Sequence, residues 1–265
     1  MIEVYAHNYL KRLLKKDSLI WPHNLTLSRL VARSLRRRDK SLVQLEINDH
    51  YDCWPGILIP LCLNIKDVVL VVSLAQKRRL FEIEILKLKE EGFNLPIWEG
   101  SEPPINGQIW ILDHRELINA YRKNYLSSKQ LIIPEGDLFS RQLRESLSVE
   151  IISSNWDSLR RAYPSLSLSL IDLHERLSRR LFSRSIRADS VVRMEPRDVG
   201  EIKDLLSILS QIPEPWSTLV EATSPGWTSW AQLDHKILDW SWHFQPLEPF
   251  QLFRQLFVDN PFIIV

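Results

Sequence analysis

A short apolar run ends in two acidic residues in the segment 131–138, which reads LIIPEGDL. In nucleotide-hydrolysing α/β domains, a buried parallel strand of this kind delivers carboxylates to Mg²⁺ and to the attacking water. Glu135 could polarise that water with Asp137 beside it, and the ordinary alternative is a buried strand that ends in a solvated turn. Pro134 stands where the metal-binding aspartate would be expected. The segment therefore predicts a catalytic strand end that has lost its metal ligand.

The turn after the first predicted strand would have to hold the phosphates of a nucleotide. Such turns are rich in glycine, because backbone N–H groups wrap around the phosphates, and a lysine neutralises their charge. Here the turn contains Glu46, Asp49 and Asp52, and the sequence has no Gly-x-x-x-x-Gly-Lys-Ser/Thr anywhere. We therefore expect no tight triphosphate binding. Asp49, His50, Asp52 and Cys53 could ligate a metal, but a single His-x-x-Cys pair favours a polar surface loop.

A second apolar run, Ile109–Leu112, is also followed directly by an acidic residue, Asp113. Asp113 could be catalytic in the same way as Glu135. An aspartate just before a helical pattern is also a good N-cap, because its carboxylate accepts hydrogen bonds from free backbone N–H groups. We favour the capping role.

Positive charge is concentrated in short segments, although the net charge of the chain is only +1. In the segment 71–79 a strand leads into a polar turn and a basic helix start, where hydroxyl and amide groups could bind phosphate oxygens of nucleic acid and cations could neutralise them. The run 33–40 offers a second basic group. A solvated helix face, or cations that favour a helix C-terminus, would explain the same residues without a ligand. The predicted nucleic-acid-binding residues are Arg36, Arg37, Arg38, Ser73, Gln76, Lys77, Arg78 and Arg79.

Tryptophan is abundant near the C-terminus. Five of the ten tryptophans in the chain are Trp216, Trp227, Trp230, Trp240 and Trp242. Exposed tryptophans could stack on the bases of single-stranded nucleic acid. Because acidic residues surround them and would repel a polyanion, we favour packing in a core or an interface.

Composition describes a globular protein without an obvious cofactor. The chain has 265 residues, of which 45% are hydrophobic and 25% charged, values typical of one large or two small globular domains. No apolar run approaches the roughly 20 residues that cross a bilayer, and the N-terminus lacks the layout of a signal peptide. Two cysteines cannot make a disulfide framework or a four-cysteine cluster. We expect a cytoplasmic protein with no metal site and no membrane partner.

Short apolar runs alternate with helical patterns, which implies a largely parallel sheet covered by helices on both faces. Helical periodicity is long in the segment 156–182, where Pro164 should start or kink the middle. The predicted strands are 41–47, 68–73, 109–112, 131–133, 149–152 and 262–265, and the other predicted helices are centred on 27–35, 80–88, 117–121 and 250–257.

Taken in order, these segments resemble the first motor domain of DinG/XPD-type superfamily-two DNA helicases. Segment 42–46 is similar to the strand that enters the Walker A loop, and 56–61 to the helix after it. Segment 68–76 lies in the place of motif Ia, which contacts single-stranded DNA. Segment 131–138 lies over the Walker B box, and 244–249 resembles the Pro-Leu-Asp segment before motif III.

The resemblance implies a RecA-like P-loop NTPase fold. It implies a motor core at 1–155, a helical, loop-rich and Trp-rich insertion at 156–258, and a returning core strand at 259–265. It also implies ATP and Mg²⁺ as cofactors, single-stranded DNA as partner, and a second motor domain that completes the nucleotide cleft.

This sequence departs from the helicase pattern at the residues that carry the chemistry. The Walker A glycines, lysine and Ser/Thr have no counterparts. Walker B's first aspartate becomes Pro134, its alanine Gly136 and its histidine Asp137, so Glu135 keeps only a vestigial catalytic position. Losing the lysine and the metal ligand removes most of the stabilisation of phosphoryl transfer.

We therefore predict a degenerate helicase-like domain that retains nucleic-acid or partner binding and does not hydrolyse ATP on its own. Two alternatives stay open. One is an active ATP-dependent helicase that needs a second motor domain, and the other is a protein-interaction module with no role in nucleic-acid binding.

Overall fold

A computed structural model describes residues 2–16, 22–45, 53–63, 67–105, 107–185, 191–223 and 226–265. The chain divides into two compact units, of which one is Met1–Leu143 with Phe250–Val265 and the other is Arg144–Pro249. The inserted unit therefore begins and ends earlier in the chain than the insertion predicted at 156–258.

Helices and strands are interspersed along the described residues. The strands are β1 (Lys40–Leu42), β2 (Val68–Val71), β3 (Ile97–Trp98), β4 (Ile109–Leu112), β5 (Gln130–Ile133), β6 (Val149–Ile151), β7 (Val191–Arg193), β8 (Trp227–Asp234), β9 (Asp239–Pro246) and β10 (Phe262–Ile264). The helices are α1 (Ile2–Lys16), α2 (Pro22–Arg37), α3 (Trp54–Leu63), α4 (Leu74–Arg79), α5 (Ile85–Glu90), α6 (His114–Arg122), α7 (Gly136–Leu147), α8 (Ser153–Ala162), α9 (Ser167–Arg184), α10 (Pro196–Ser207), α11 (Trp216–Ala222), α12 (Pro249–Leu252) and α13 (Arg254–Asp259).

The first unit is built on a parallel sheet. Its six strands among the described residues are all parallel, in the order β1-β10-β5-β2-β4-β3. Every residue of β2, β4 and β5 is buried, which explains why these strands read as continuous apolar runs rather than as alternating patterns. The predicted α/β class, with a parallel sheet flanked by helices, is confirmed.

The strand register brings the ends of β2 and β5 together. Val69 pairs with Leu131 and Leu70 with Ile132, while Ile264 of β10 pairs with Ile133 on the other side of β5. Because parallel strands end at the same edge of a sheet, the residues that follow β2, β5 and β10 lie side by side. We call this the carboxyl edge of the sheet.

Helices α1, α2 and α3 contribute apolar faces to the core of the first unit. Leu10, Leu27, Val31 and Ile57 are fully or almost fully buried in it. A polar contact fixes two of these helices, because the Asn24 side chain of α2 accepts a hydrogen bond from the Gly56 N–H of α3 at 3.2 Å. These helices cover the sheet as the amphipathic pattern of α2 predicts.

The second unit contains an antiparallel sheet, which corrects the prediction of a helical and loop-rich insertion. Its strand order is β6-β9-β8-β7. The strand predicted at 149–152 belongs here rather than to the parallel core, because Val149 pairs with Phe244 of β9. Along β9 every second residue is buried, so one face of this sheet packs on its own core.

That core holds most of the C-terminal tryptophans. Trp216, Trp240 and Trp242 are at most 3% exposed and pack among apolar side chains from α8 to α11, so the core role is confirmed for these three. Trp230 is partly exposed and stacks on His243 at 5.4 Å between ring centroids. As predicted, Pro164 interrupts the long helical segment, since it starts a 3₁₀ turn between α8 and α9. Within the described part of the chain, no helix is both long and apolar enough to cross a bilayer.

Candidate site at the carboxyl edge of the parallel sheet

Glu135 and Ser73 are joined at the carboxyl edge. Glu135 follows β5 and Ser73 follows β2, and the Ser73 N–H donates a hydrogen bond to Glu135 Oε2 at 3.1 Å. Glu135 is only partly exposed. The residue predicted for catalysis and one predicted for nucleic-acid contact therefore belong to the same small cluster.

The cluster continues into α3 and α4. Ser73 caps α4, since its Oγ accepts a hydrogen bond from the Gln76 N–H at 3.3 Å. The side-chain oxygen of Gln76 in turn accepts a hydrogen bond from Trp54 Nε1 at 3.2 Å. Among the described residues, neither the Ser73 O–H nor the Gln76 side-chain NH₂ donates a hydrogen bond, so both remain able to bind an acceptor such as a phosphate oxygen.

At this edge, the position predicted for the metal-binding aspartate offers no side-chain ligand atom. Pro134, in the position of the metal-binding aspartate, is buried and has no ligand atom in its side chain. Asp137 is exposed in the first turn of α7 and forms no hydrogen bond with Glu135. The described residues contain no group of three or more His, Cys, Asp or Glu side chains that could hold a metal.

The Asp113 carboxylate is committed to a helix cap, which confirms the favoured interpretation. Asp113 Oδ1 accepts a hydrogen bond from the Glu116 N–H at 2.8 Å, and Glu116 Oε2 accepts one from the Asp113 N–H at 2.7 Å. This reciprocal pair is a capping box. Beside it, burial lowers the pKa of His114 to about 4, although the Asp113 carboxylate opposes this shift. His114 is therefore neutral near pH 7 and adds no positive charge for an anion.

The three cations of α4 differ in their surroundings. Lys77 Nζ lies 2.8 Å from Glu116 Oε2, and its side chain is 13% exposed. Arg79 Nε lies 3.1 Å from the buried carboxylate of Glu84. Arg78 is exposed and forms no ion pair with any described residue. Of the predicted phosphate-binding cations on α4, Arg78 is thus the one whose charge is not balanced by a carboxylate.

The predicted cations at the end of α2 lie at the opposite edge of the sheet. The Arg38 guanidinium donates a hydrogen bond to the Ser128 carbonyl, two residues before β5 begins. Arg36 Nη2 lies 2.6 Å from Glu3 Oε1, and Arg37 is exposed. Ser73 lies beyond the other end of the strands, so the two predicted basic groups do not form one surface.

The pKa of the Glu3 side chain is shifted by its surroundings near α2. The pKa of Glu3 is lowered first by the hydrogen bond from its own backbone and then by Arg36, with burial acting against both. Glu3 is therefore ionised at neutral pH, and its charge balances that of Arg36. Neither residue contributes a free charge to this end of α2.

Several predicted residues lie outside the described part of the chain. The segment 46–52, with Glu46, Asp49, His50 and Asp52, is among them. The structure therefore does not bear on the phosphate-binding turn or on the metal hypothesis for it.

Sequence reasoning missed two residues that shape the edge. Trp54 holds Gln76 in place, and Gly136 lets the end of β10 approach β5, since its N–H donates to the Val265 carbonyl at 2.8 Å. A glycine at a strand-to-helix turn is a signal of close backbone approach. Trp54 carries no comparable signal, because its partner is distant in sequence.

No family model matches the chain, and no curated protein matches its sequence. The resemblance to helicases stays a prediction.

Proposed function

We propose that this chain is a RecA-like domain that binds single-stranded nucleic acid at the carboxyl edge of its parallel sheet and does not hydrolyse ATP on its own. The observation that carries the proposal is the cluster of Glu135, Ser73 and Gln76. Its carboxylate follows a buried parallel strand and contacts the turn after a neighbouring strand, and Pro134 stands where the resemblance to helicases places the metal ligand.

The binding part of the proposal rests on donors that are held in place. The Ser73 hydroxyl and the Gln76 amide are fixed by the helix cap and by Trp54, so little side-chain entropy is lost when they bind a phosphate. Arg78, two residues after Gln76 on α4, supplies an exposed positive charge. Hydroxyl, amide and guanidinium groups are the usual partners of nucleic-acid phosphates.

The second part of the proposal, that the chain does not hydrolyse ATP on its own, rests on the groups that phosphoryl transfer needs. Phosphoryl transfer needs a metal ion and a cation that neutralises the γ-phosphate. The sequence has no Walker A lysine, and the Glu135 carboxylate already accepts a backbone N–H. A single carboxylate without a metal ligand beside it cannot supply the lost electrostatic stabilisation.

We expect a labelled single-stranded oligothymidylate to bind the full chain with an affinity that falls steeply between about 50 and 200 mM salt. Because Arg78 would contact one phosphate, Arg78→Gln should weaken binding several-fold and reduce the slope of log K against log salt by about 0.7, the value for one single-strand phosphate. Gln76→Ala should weaken binding without changing that slope, since it removes no charge. Fluorescence anisotropy measures both quantities.

The control is Arg179→Gln, which removes one exposed arginine from α9 of the second unit, where its side chain is 78% exposed and pairs with Glu175 at 2.9 Å. This control should bind like the wild type. Absence of binding at low salt, or equal binding by Arg78→Gln and the wild type, would overturn the proposed site.

We expect Mg-ATP to leave the melting temperature of the chain unchanged. A ligand that binds only the folded state adds RT ln(1 + [L]/Kd), which is about 2.7 kcal/mol at a hundred times Kd. The measurement is a thermal melt with Mg²⁺ alone and with Mg-ATP, on the wild type and on Glu135→Gln. Stabilisation by Mg-ATP that disappears in Glu135→Gln would support the active helicase instead.

A further inference from the structure

Helix α2 carries a row of arginines that the sheet edge does not explain. Arg29, Arg33 and Arg37 are spaced four residues apart and are all exposed. In an α-helix this spacing places side chains on one face with a rise of about 6 Å between them. We call these three residues the α2 arginine row.

The charges of the row are not neutralised within the described chain. None of the three arginines forms an ion pair or a hydrogen bond with a described residue, unlike Arg36, which pairs with Glu3 at 2.6 Å. Two of them, Arg29 and Arg33, line a shallow groove of about 220 Å³ together with Glu3, Thr26 and Leu30. The one acid in this groove is already paired with Arg36, so the groove presents positive charge.

Charge along the chain points to the same surface. Residues 2–45 contain ten Lys and Arg and three Asp and Glu, while the whole chain has a net charge of only +1. The rest of the chain is therefore acidic overall. Such segregation gives this segment a positive potential that attracts a polyanion.

We propose that the α2 arginine row is a second nucleic-acid-binding surface, which holds the sugar-phosphate backbone of a strand through Arg29, Arg33 and Arg37. Each guanidinium can bind one phosphate through two parallel N–H groups, and their regular rise lets them reach successive phosphates. The inference rests on the proposed nucleic-acid binding but on a different set of residues, far along the chain from Ser73 and Arg78.

An anionic membrane is the competing polyanion, and α2 is poorly suited to it. A helix that lies in a membrane interface inserts a continuous apolar face. In α2 that face is formed by Leu27, Val31 and Leu35, which are at most 3% exposed because they pack in the core of the first unit. Only Leu30, 41% exposed, lies apolar and accessible in the groove.

The test compares two triple variants with equal loss of charge. R29Q/R33Q/R37Q removes the row, and R176Q/R179Q/R197Q removes three exposed arginines of the second unit, whose side chains are 54%, 78% and 78% exposed. We expect the first variant to bind labelled single-stranded oligothymidylate at least about tenfold more weakly at low salt and to lose about 2 from its salt slope, as three single-strand phosphate contacts predict. The second variant should bind almost like the wild type.

The outcomes separate this inference from the proposed sheet-edge site. If R29Q/R33Q/R37Q binds like the second-unit variant while Arg78→Gln weakens binding, the row is overturned and the sheet edge stands. If the row variant weakens binding and Arg78→Gln does not, the row stands and the sheet edge is overturned. Equal losses in both triple variants, or a row variant that loses binding to phosphatidylserine–phosphatidylcholine vesicles but not to the oligonucleotide, would overturn the inference.

Circular dichroism of both triple variants should match the wild type, because all six side chains are exposed.

Discussion

Asp198→Ala is expected to lower the free energy of unfolding of the second unit by about 3–5 kcal/mol, the cost of removing one partner of a buried ion pair. Asp198 is 0% exposed. Its Oδ2 accepts a hydrogen bond from Arg184 Nη1 at 2.8 Å, and its Oδ1 lies 3.1 Å from Arg180 Nη1. The variant would leave two largely buried guanidinium groups without the carboxylate that lies between them.

The same carboxylate also holds the start of α10. Asp198 Oδ2 accepts a hydrogen bond from the Glu195 N–H at 3.2 Å, so the substitution removes a cap as well as a charge. Glu195 and Glu201 each pair with one of the two arginines, at 3.0 and 2.9 Å, but both acids are more exposed and cannot fill the buried position. We therefore expect Asp198→Asn to cost less than Asp198→Ala, because the amide keeps an acceptor for the Glu195 N–H.

Urea denaturation followed by tryptophan fluorescence measures this effect, since Trp156, Trp216 and Trp242 lie in the core of the same unit. The matched control is Asp172→Ala on α9. Asp172 pairs with Arg176 at 3.2 Å, but its side chain is 68% exposed, so the control should change stability by less than about 0.5 kcal/mol. Similar small changes in both variants would show that the buried network does not stabilise the unit.

The strands that the sequence predicts well are those that are buried on both faces. In β2, β4 and β5 the apolar run itself marks the strand, since a parallel sheet covered by helices needs no polar face. The hairpin of β8 and β9 was missed although it carried a signal. In β9 Trp240, Trp242 and Phe244 alternate with polar residues, and this period of two is typical of a half-buried strand. The prediction for this segment considered how many tryptophans it contains and not the interval of two residues between them.

Strand partners were beyond the reach of the sequence. The strand at 149–151 has the composition of a core strand, but its partner β9 lies almost a hundred residues further along the chain. Strand pairing over such a sequence separation depends on how the whole unit packs. The local hydrophobic pattern of one strand therefore does not identify its partner. For the same reason the predicted parallel pairing of this strand was wrong.

The sequence predicted the individual residues of the candidate site, but it did not predict which of them contact one another. Glu135 and Ser73 each follow an apolar strand, which places both at a carboxyl edge. That they touch depends on β2 and β5 being neighbours in the sheet. The ion pair of Lys77 with Glu116 depends in the same way on tertiary packing. The number of cations in a sequence segment is therefore larger than the number that remain unpaired and able to bind an anionic ligand.

At the carboxyl edge, Glu135 Oε2 supports the turn that begins α4, since it accepts a hydrogen bond from the Ser73 N–H. This contact fixes Ser73, and through its cap it fixes Gln76. Glu135 thus has a positioning role for the two polar donors that the proposed function assigns to nucleic acid.

Gly136→Ala is expected to lower the free energy of unfolding by about 1–3 kcal/mol, the usual cost of an added methyl in a filled space. A Cβ at this position would lie 2.4 Å from Ile264 Cγ2 and 3.0 Å from the Val265 carbonyl oxygen. The isoleucine side chain is stiff because it is branched at Cβ, and the carbonyl belongs to the backbone, so neither can move easily. The resemblance to helicases implies alanine at this position, and the approach of β10 gives a physical reason why glycine stands here.

Two further variants distinguish a steric clash from the general effect of changing a glycine. Gly200 lies inside α10, where a Cβ would meet no atom within 4 Å, so Gly200→Ala should stabilise the chain by about 0.5–1 kcal/mol. Leucine has no Cγ2 methyl on Cβ, and Ile264→Leu combined with Gly136→Ala should therefore recover part of the loss. A double-mutant cycle by urea denaturation measures this coupling. If Gly136→Ala is neutral, or if its cost adds to that of Ile264→Leu without coupling, then close packing of β10 against the Glu135 turn is not what requires glycine at this position.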